Sequence, residues 1–323
     1  MWRDQRGAAL LAVLLLVAVI AALAAMMLER MRLATQLAVN VAAFDTARAL
    51  ADGAETLAVA RIGQLADAPA EAAAQANQLL GQPTSVPLGD GSVATARVWD
   101  GGNCFNLNSV ASGQDPQDLR VNPIGVAQFT ALMEILGVDG REAQAIAASL
   151  ADWIDADQVP SPGGGAEDNI YQRMDPPYRT ADTLLAEVSE LRAINAVTPA
   201  HYALLRPFVC ALPTTELSAI NVNTLNEAEA PLLAMLATNL SRDQAQRLIA
   251  GRPAEGWGSV EAFQRSPAGQ ALDAQGTQIG LRSRWFRLDL ELDRGDVTWR
   301  RTALIDARTS PAKVVARQLG EVD

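Results

Sequence analysis

The chain has 323 residues and a formal net charge of −11, with 26 lysines and arginines against 37 aspartates and glutamates. This acidic balance disfavours a protein that holds nucleic acid through its phosphates, since that requires clustered positive charge. A single histidine, His201, and two distant cysteines exclude histidine-rich metal sites, zinc ribbons and CxxC redox motifs. No Ser-His-Asp pattern is present either, so the sequence predicts a protein that is not an enzyme.

The first predicted element is a membrane-spanning helix over residues 8–28, which contain no charged residue. At about 1.5 Å per residue, a helix of this length spans roughly 30 Å, the thickness of the bilayer hydrocarbon. Two arginines in the preceding leader, residues 1–7, favour a cytoplasmic N-terminus, although two more beyond the helix weaken that preference. A cleaved signal peptide and a simple signal anchor are alternatives. The helical pattern continues to about residue 65.

Strands are predicted near both ends of the remaining chain. A turn-rich linker over residues 81–91 precedes a strand over residues 92–100. Residues 285–293 alternate apolar and charged side chains, which is typical of a half-buried strand. A turn over residues 294–296 leads into a partner strand over residues 297–305. These regions and the long helix are predicted to form one unit that a helical segment interrupts.

The interrupting segment, residues 110–280, has helix signals throughout. Helices are predicted over residues 123–136, 139–154, 183–194 and 198–205. Capping boxes predict two further helix starts, at Thr224 with Glu227 and at Ser241 with Gln244. The sequence therefore predicts an all-α insertion.

Two helical hairpins in this insertion, residues 124–154 and 227–250, resemble the helix-hairpin-helix DNA-binding modules of competence proteins. Such modules hold phosphate through backbone N–H groups in a glycine-containing turn. The first turn contains Gly137 and Gly140 but is flanked by acidic residues, and the second turn, residues 237–240, has no glycine. A structural use of the hairpins is predicted, and a membrane-anchored competence-type DNA-binding protein is the alternative function.

An acidic loop supplies the candidate metal ligands. Residues 152–178 contain six carboxylates, one arginine and a run of three glycines. Calcium binds about 6–8 oxygens in a loose arrangement, which carboxylates brought together by a flexible loop can supply. The predicted ligands are Asp155, Asp157, Glu167 and Asp168. The spacing is not that of an EF-hand, and a solvated acidic loop remains equally open.

The leader resembles a type IV prepilin signal, since a short basic segment ends in Gly7 directly before the apolar run. This resemblance implies that a prepilin peptidase cleaves between Gly7 and Ala8, after which the new N-terminus is methylated. Ala12 stands where most pilins have a glutamate that pairs with the terminal ammonium of the subunit above. A subunit without this carboxylate suits the tip of a filament, where nothing lies above it.

Six motifs in order resemble the K minor pseudopilins of type II secretion systems. They are CFNLN at residues 104–108, DWIDAD at 152–157, AED at 166–168, PYR at 177–179, SEL at 189–191 and INVNT at 220–224. The resemblance implies an α+β, pilin-like fold, with a long N-terminal transmembrane helix and an antiparallel sheet. Residues 29–109 and 281–323 would form its core, and residues 110–280 the inserted α-domain.

The same resemblance implies a function and a location. The protein would cap the tip of the pseudopilus and support export of folded proteins across the outer membrane. It would bind calcium, and its partners would be the I and J minor pseudopilins, the major pseudopilin and the prepilin peptidase, without nucleic acid. It would cross the bacterial inner membrane once, with a cytoplasmic N-terminus and most of the chain in the periplasm.

The two cysteines, Cys104 and Cys210, would then face an oxidising compartment, where paired thiols tend to persist as a disulfide. Such a bond would tie the inserted α-domain to the pilin-like core. Two buried free thiols are the alternative.

Overall fold

The computed structural model describes residues 4–68, 77–88, 91–237, 239–266, 269–272, 278–294 and 297–320. Its first element is one continuous helix of 63 residues, α1 (Asp4–Ala66), which confirms the predicted helix end. The part of α1 from Ala9 onward contains a fully exposed window with a mean hydropathy of 3.0. By length and composition this window is able to cross a membrane. Residues 1–3 of the predicted leader lie outside the described residues.

One antiparallel sheet joins the two ends of the chain. Its strands are β1 (Pro83–Pro87), β2 (Val93–Asp100), β3 (Trp285–Arg294), β4 (Val297–Asp306) and β5 (Lys313–Leu319). They are hydrogen-bonded in the order β1-β2-β3-β4-β5, so the strand before the insertion lies directly beside the strand after it. The predicted α+β, pilin-like fold is confirmed.

The sheet buries one face against the second half of α1. Leu290 and Leu292 of β3 pack with Ala47 and Ala51, whose small side chains allow the helix to approach the strands closely. Ile62 makes the equivalent contact farther along α1. The charged residues of β3 alternate with these leucines and face away from α1, as the sequence alternation predicts.

The strand predictions for residues 92–100, 285–293 and 297–305 are confirmed to within one residue at each end. The predicted turn between the last two falls largely on residues 295 and 296, outside the described residues. The linker prediction for residues 81–91 is wrong, because this region contains β1. Prolines begin and end β1, and an edge strand tolerates them because it needs ladder hydrogen bonds on one side only.

The segment between β2 and β3 is mainly helical. Its α-helices are α2 (Pro123–Ile135), α3 (Gly140–Ile154), α4 (Asp168–Tyr171), α5 (Pro199–Leu205), α6 (Ala230–Ala234), α7 (Arg242–Ala250) and α8 (Val260–Gln264). Its 3₁₀ helices are Leu107–Val110, Pro116–Asp118, Val188–Ala193, Arg206–Phe208, Glu227–Glu229 and Gly269–Leu272. Two-residue strands pair Phe105–Asn106 with Val209–Cys210, Ala111–Ser112 with Arg120–Val121, and Ile220–Asn221 with Ile279–Gly280. A single buried cluster, to which both hairpins contribute, holds these elements together.

Most helix predictions in the insertion are confirmed, including α2, α3, α5 and the capping box at Ser241 that begins α7. The helix predicted over residues 183–194 is wrong, since only Val188–Ala193 is helical there and it is a 3₁₀ helix. The capping box predicted at Thr224 is also wrong. The Thr224 hydroxyl instead bonds to Asp100, and Asn226 with Glu229 forms the box two residues later.

Polar contacts attach the insertion to the sheet. Asp100, at the end of β2, accepts hydrogen bonds from the hydroxyls of Thr224 and Ser283, both at 2.5 Å. After β4, the Arg308 guanidinium donates to the Glu216 carboxylate at 2.6 Å. Because charge-assisted hydrogen bonds are the stronger class, these contacts favour a fixed placement of the helical segment on the sheet.

Candidate metal centre

Three carboxylates meet at the C-terminal end of α3. Ligand oxygens of Asp155, Asp157 and Glu167 all lie within 4.8 Å of one another. Asp155 directly follows α3, and Glu167 directly precedes α4. Asp155 and Glu167 are buried, whereas Asp157 is exposed. The cluster is therefore enclosed by the protein on one side and open to solvent on the other.

The glycine run explains how the loop reaches the end of α3. Gly163 and Gly164 have positive φ angles of 99° and 117°, which residues with a side chain rarely adopt. A Cβ on Gly165 would collide with the Asp152 carboxylate at the end of α3. Only glycine therefore allows the loop to fold back closely enough to place Glu167 in the cluster.

Several oxygens of this cluster have no hydrogen-bond partner among the described residues. They are Oδ1 of Asp155 and both carboxylate oxygens of Glu167, and all three are buried. Burying such an oxygen without a partner costs on the order of 1–3 kcal/mol. A hard cation would act as the missing partner, because calcium binds carboxylate oxygens. The donor set therefore fits calcium.

Burial and mutual repulsion raise the pKa of both buried carboxyl groups. Burial, with the neighbouring carboxylates of Asp157, Asp152 and Asp182, raises the pKa of Asp155 to about 7. Burial, with the carboxylates of Asp152, Asp155, Asp157 and Asp182, raises the pKa of Glu167 to about 8. A bound divalent cation would reverse this effect, since it stabilises the ionised form of each carboxyl.

The fourth predicted ligand, Asp168, is not part of this cluster. Its Oδ1 accepts hydrogen bonds from the backbone N–H and the hydroxyl of Thr180, both at 3.0 Å. Its Oδ2 lies 3.7 Å from Nε of Arg179. These bonds direct the Asp168 carboxylate towards the following loop. Glu167 therefore belongs to the carboxylate cluster, whereas the adjacent Asp168 contacts that loop.

Two carboxylates that the ligand prediction omitted lie close enough to influence the cluster electrostatically. Asp152 belongs to the same DWIDAD motif and accepts a hydrogen bond from the backbone N–H of Ser161 at 3.0 Å. Asp182 has a positive φ of 49°, and its N–H donates to the carbonyl of Trp153. The motif indicates Asp152, but no spacing in the sequence indicates Asp182.

The two cysteines are joined in the structure by a disulfide, with their Cα atoms 5.8 Å apart. The parallel pairing of Phe105–Asn106 with Val209–Cys210 brings them together. This bond connects the chain just after β2 to the region after α5. Both cysteines lie between β2 and β3, and Phe105 next to Cys104 packs in the core of the insertion, so the bond links two parts of the insertion and does not tie it to the sheet as predicted. Gly7 and Ala8, the predicted cleavage position, lie in the first turns of α1.

Comparisons with known proteins place these features in a family. Two family models, both described as type II secretion system protein K, match residues 103–214 and 220–282. A type II secretion system protein K of Pectobacterium carotovorum is 36% identical over 98% of this chain and 97% of its own length. The protein of the same name from Klebsiella pneumoniae is 35% identical over 98% of this chain and 97% of its own length.

The chain belongs to the protein K family of type II secretion systems. The predicted family is thus confirmed, and with it the assignment to the minor pseudopilins. A solved structure agrees, namely the GspK-GspI-GspJ complex of enterotoxigenic Escherichia coli. It matches with a TM-score of 0.67 and 27% identity, over 86% of this chain and 97% of the matched one. Protein K is a structural component of the secretion system, and the apolar part of α1 fits its membrane anchor.

Proposed function

We propose that this protein K caps the tip of the pseudopilus and thereby supports export of folded proteins across the outer membrane. The observation that carries the proposal is the size of the insertion between β2 and β3, which spans residues 101–284. A filament body packs identical slim subunits in a repeating lattice, and a head enlarged on this scale fits such a lattice poorly. At the tip the same head meets neighbours on one side only.

We propose the I and J minor pseudopilins and the major pseudopilin as partners. The matched solved structure is a complex of GspK with GspI and GspJ, which supports the same association here. In this chain, apolar residues of α1 beyond the predicted membrane span, including Leu33, Leu37 and Val41, are more than half exposed. Helices of neighbouring subunits would cover this apolar surface, because leaving it in water is unfavourable.

The tip assignment predicts a finite complex and a low copy number. Mixed in detergent with the I and J proteins, the full chain should form one complex of defined mass and no polymer. Cross-linking in cells should recover it at one end of the pseudopilus. Ala12→Glu, which restores the carboxylate of body subunits, should still fail to enter the filament body if the insertion is the main obstacle. Distribution along the filament at a ratio near that of the major subunit would reject the assignment.

We propose that the prepilin peptidase cleaves this chain between Gly7 and Ala8, on the cytoplasmic side of the inner membrane. Gly7→Leu should abolish cleavage, because a bulky side chain does not fit a site that accepts glycine. Gly7→Ala is the matched control and should still be cleaved. N-terminal sequencing of the mature protein should begin at Ala8, and any other start would contradict the proposal.

We propose that Asp155, Asp157 and Glu167 bind calcium, which would stabilise the inserted domain. At a calcium concentration a hundred times the dissociation constant, the expected gain in the free energy of unfolding is about 2.7 kcal/mol. Asp155→Asn should remove the calcium-dependent rise in melting temperature. Asp168→Asn is the control, and should lower the basal melting temperature while leaving the calcium-dependent rise intact. If a chelator leaves the wild-type melting curve unchanged, the three carboxylates do not bind calcium.

The raised pKa values also make the stability of the calcium-free protein depend on pH, and they fix the direction of the change. The reference values are 3.8 for Asp155 and 4.5 for Glu167, and the folded values are about 7 and about 8. In calcium-free protein these groups therefore contribute stability that is complete below the reference values and is lost as pH rises through 7 and 8. Calcium should remove this loss, so the calcium-dependent shift in melting temperature should increase with pH over this range.

A further inference from the structure

The sheet face turned away from α1 carries a groove with an unusual charge. Five arginines line this cavity of about 330 Å³, but the guanidinium of Arg301 lies on the opposite face, paired with Glu55. The four arginines that remain are Arg97, Arg206, Arg287 and Arg300. The carboxylates that line it are Asp289 and Glu291. In a chain with a net charge of −11, the groove is thus a local excess of positive charge.

The two carboxylates already have partners. Asp289 accepts hydrogen bonds from Nε1 of Trp99 at 2.6 Å and from the Thr302 hydroxyl at 3.1 Å. Glu291 accepts one from Nε of Arg300 at 3.0 Å. Asp289 also pairs with Arg287, whose Nε lies 3.4 Å from Oδ1 of Asp289. Each carboxylate is thus already paired with one guanidinium of the groove, and neither is paired with Arg97 or Arg206.

Arg97 and Arg206 are the cations with unused capacity. Neither makes a salt bridge with any residue in the described parts of the chain. Both are exposed, and they come from different parts of the fold, Arg97 from β2 and Arg206 from the end of α5. The Arg97 guanidinium lies 5.7 Å from the centre of the Trp99 ring, a contact that orients it without neutralising it. The groove therefore presents two guanidiniums, from the sheet and from the insertion.

We propose that this groove binds an extended acidic segment of a partner protein, with side-chain carboxylates of that segment paired to Arg97 and Arg206. Guanidiniums suit this ligand because their planar donors match the two oxygens of a carboxylate. From β2 to β5 this face of the sheet is three strand spacings wide, or about 14 Å. An extended peptide of about four residues would span that distance. The proposal does not depend on a position at the filament tip.

The rest of the groove favours a peptide with discrete charges. A second cavity of about 540 Å³ continues from the first, shares Arg206 and Arg287 with it, and is also lined by Glu187 and Glu229. A continuous polyanion such as nucleic acid would meet these acids, whereas a peptide needs carboxylates only at the arginine end. Lipid headgroups are too distant, because some 19 helical residues, about 28 Å, separate the membrane span from Ala47, where the sheet contact begins.

The test is binding of a fluorescent six-residue peptide, two glutamates followed by four serines and blocked at both ends, to the full chain in uncharged detergent micelles. Arg97→Gln/Arg206→Gln should weaken binding about tenfold, since each lost pair contributes a modest exposed interaction. Arg141→Gln, an exposed arginine of α3 outside the groove, removes the same type of charge and should leave the affinity unchanged. Glu291→Gln should tighten binding, because it removes a carboxylate that repels the acidic peptide.

Three results would contradict the proposal. The proposal is wrong if the probe does not bind, or if Arg141→Gln weakens binding as much as the groove variant. It is also wrong if a thymidine oligonucleotide of the same charge binds more tightly through the same arginines, since the site would then select a polyanion. Because Glu291→Gln is expected to raise the affinity, a loss of folding cannot produce the predicted pattern.

Discussion

Replacing both cysteines, as Cys104→Ala/Cys210→Ala, should lower the free energy of unfolding by up to about 4–5 kcal/mol. The disulfide joins residues 106 positions apart. In the chain-entropy model, releasing a loop of roughly a hundred residues stabilises the unfolded chain by this amount. Denaturant unfolding of the full chain in detergent, with the fluorescence of Trp153 and the other tryptophans as the signal, would measure the change.

A reduced wild-type sample is the matched control, and it should unfold at the same denaturant concentration as the double variant. Alkylation with a thiol reagent supplies a direct test. The unfolded, unreduced wild-type protein should incorporate no label. Two labelled thiols would contradict the disulfide, and the cysteines would then be buried free thiols.

Replacing one glutamate of α1 should have an effect of similar size. Glu55 is 4% exposed and accepts hydrogen bonds from Nη1 of Arg301 at 3.0 Å and from Nη2 of Arg317 at 2.7 Å. Glu55→Gln would leave the Arg301 guanidinium, itself 7% exposed, without its buried partner. Breaking a buried ion pair in this way costs about 3–5 kcal/mol, because the remaining charge stays away from water.

The matched control is Asp52→Asn, one turn earlier on α1. Asp52 pairs with the same Nη1 of Arg301 at 2.6 Å, but its side chain is 52% exposed. Solvent screens such a pair, so its loss should cost about 1 kcal/mol or less. Equal effects of the two substitutions, or no effect of Glu55→Gln, would contradict the assignment of Glu55 as the buried anchor of α1.

The same residue should produce an acid-side pH dependence. Burial alone would raise the pKa of Glu55, but the hydrogen bonds and charges of Arg317 and Arg301 outweigh it and lower the pKa below 4.5. The stability from Glu55 is therefore present above pH 4.5 and is lost as pH falls through its lower folded value. Glu55→Gln should remove this part of the acid unfolding profile.

Local patterns in the sequence were sufficient for much of the fold. The alternation in residues 285–293 predicted β3 and its buried face, because a strand alternates its side chains between two environments. Asp139 and Ser241 marked helix starts correctly, because a cap acts on backbone groups within three residues. The uninterrupted apolar run predicted the membrane helix, because bilayer thickness sets its length.

Long-range pairing decided what those patterns missed. The strand β1 forms because β2 offers it a ladder, although its two prolines indicate a linker. The strand β5 lacks a clear alternation and depends on pairing with β4 in the same way. For a short edge strand, the neighbouring strand contributes more than intrinsic propensity does.

The sequence by itself determined the family, the long apolar N-terminal helix, the sheet-plus-insertion architecture and the three carboxylates that the structure brings together. Only the tertiary structure separated Asp168 from that cluster and brought Asp182 close to it. It alone placed Glu55 against arginines of the neighbouring strands β4 and β5, and brought Arg206 to the same groove as Arg97. The physical reason is that motifs and periodicity report the environment along one element. The partners of a buried or clustered charge are chosen by how separate elements pack.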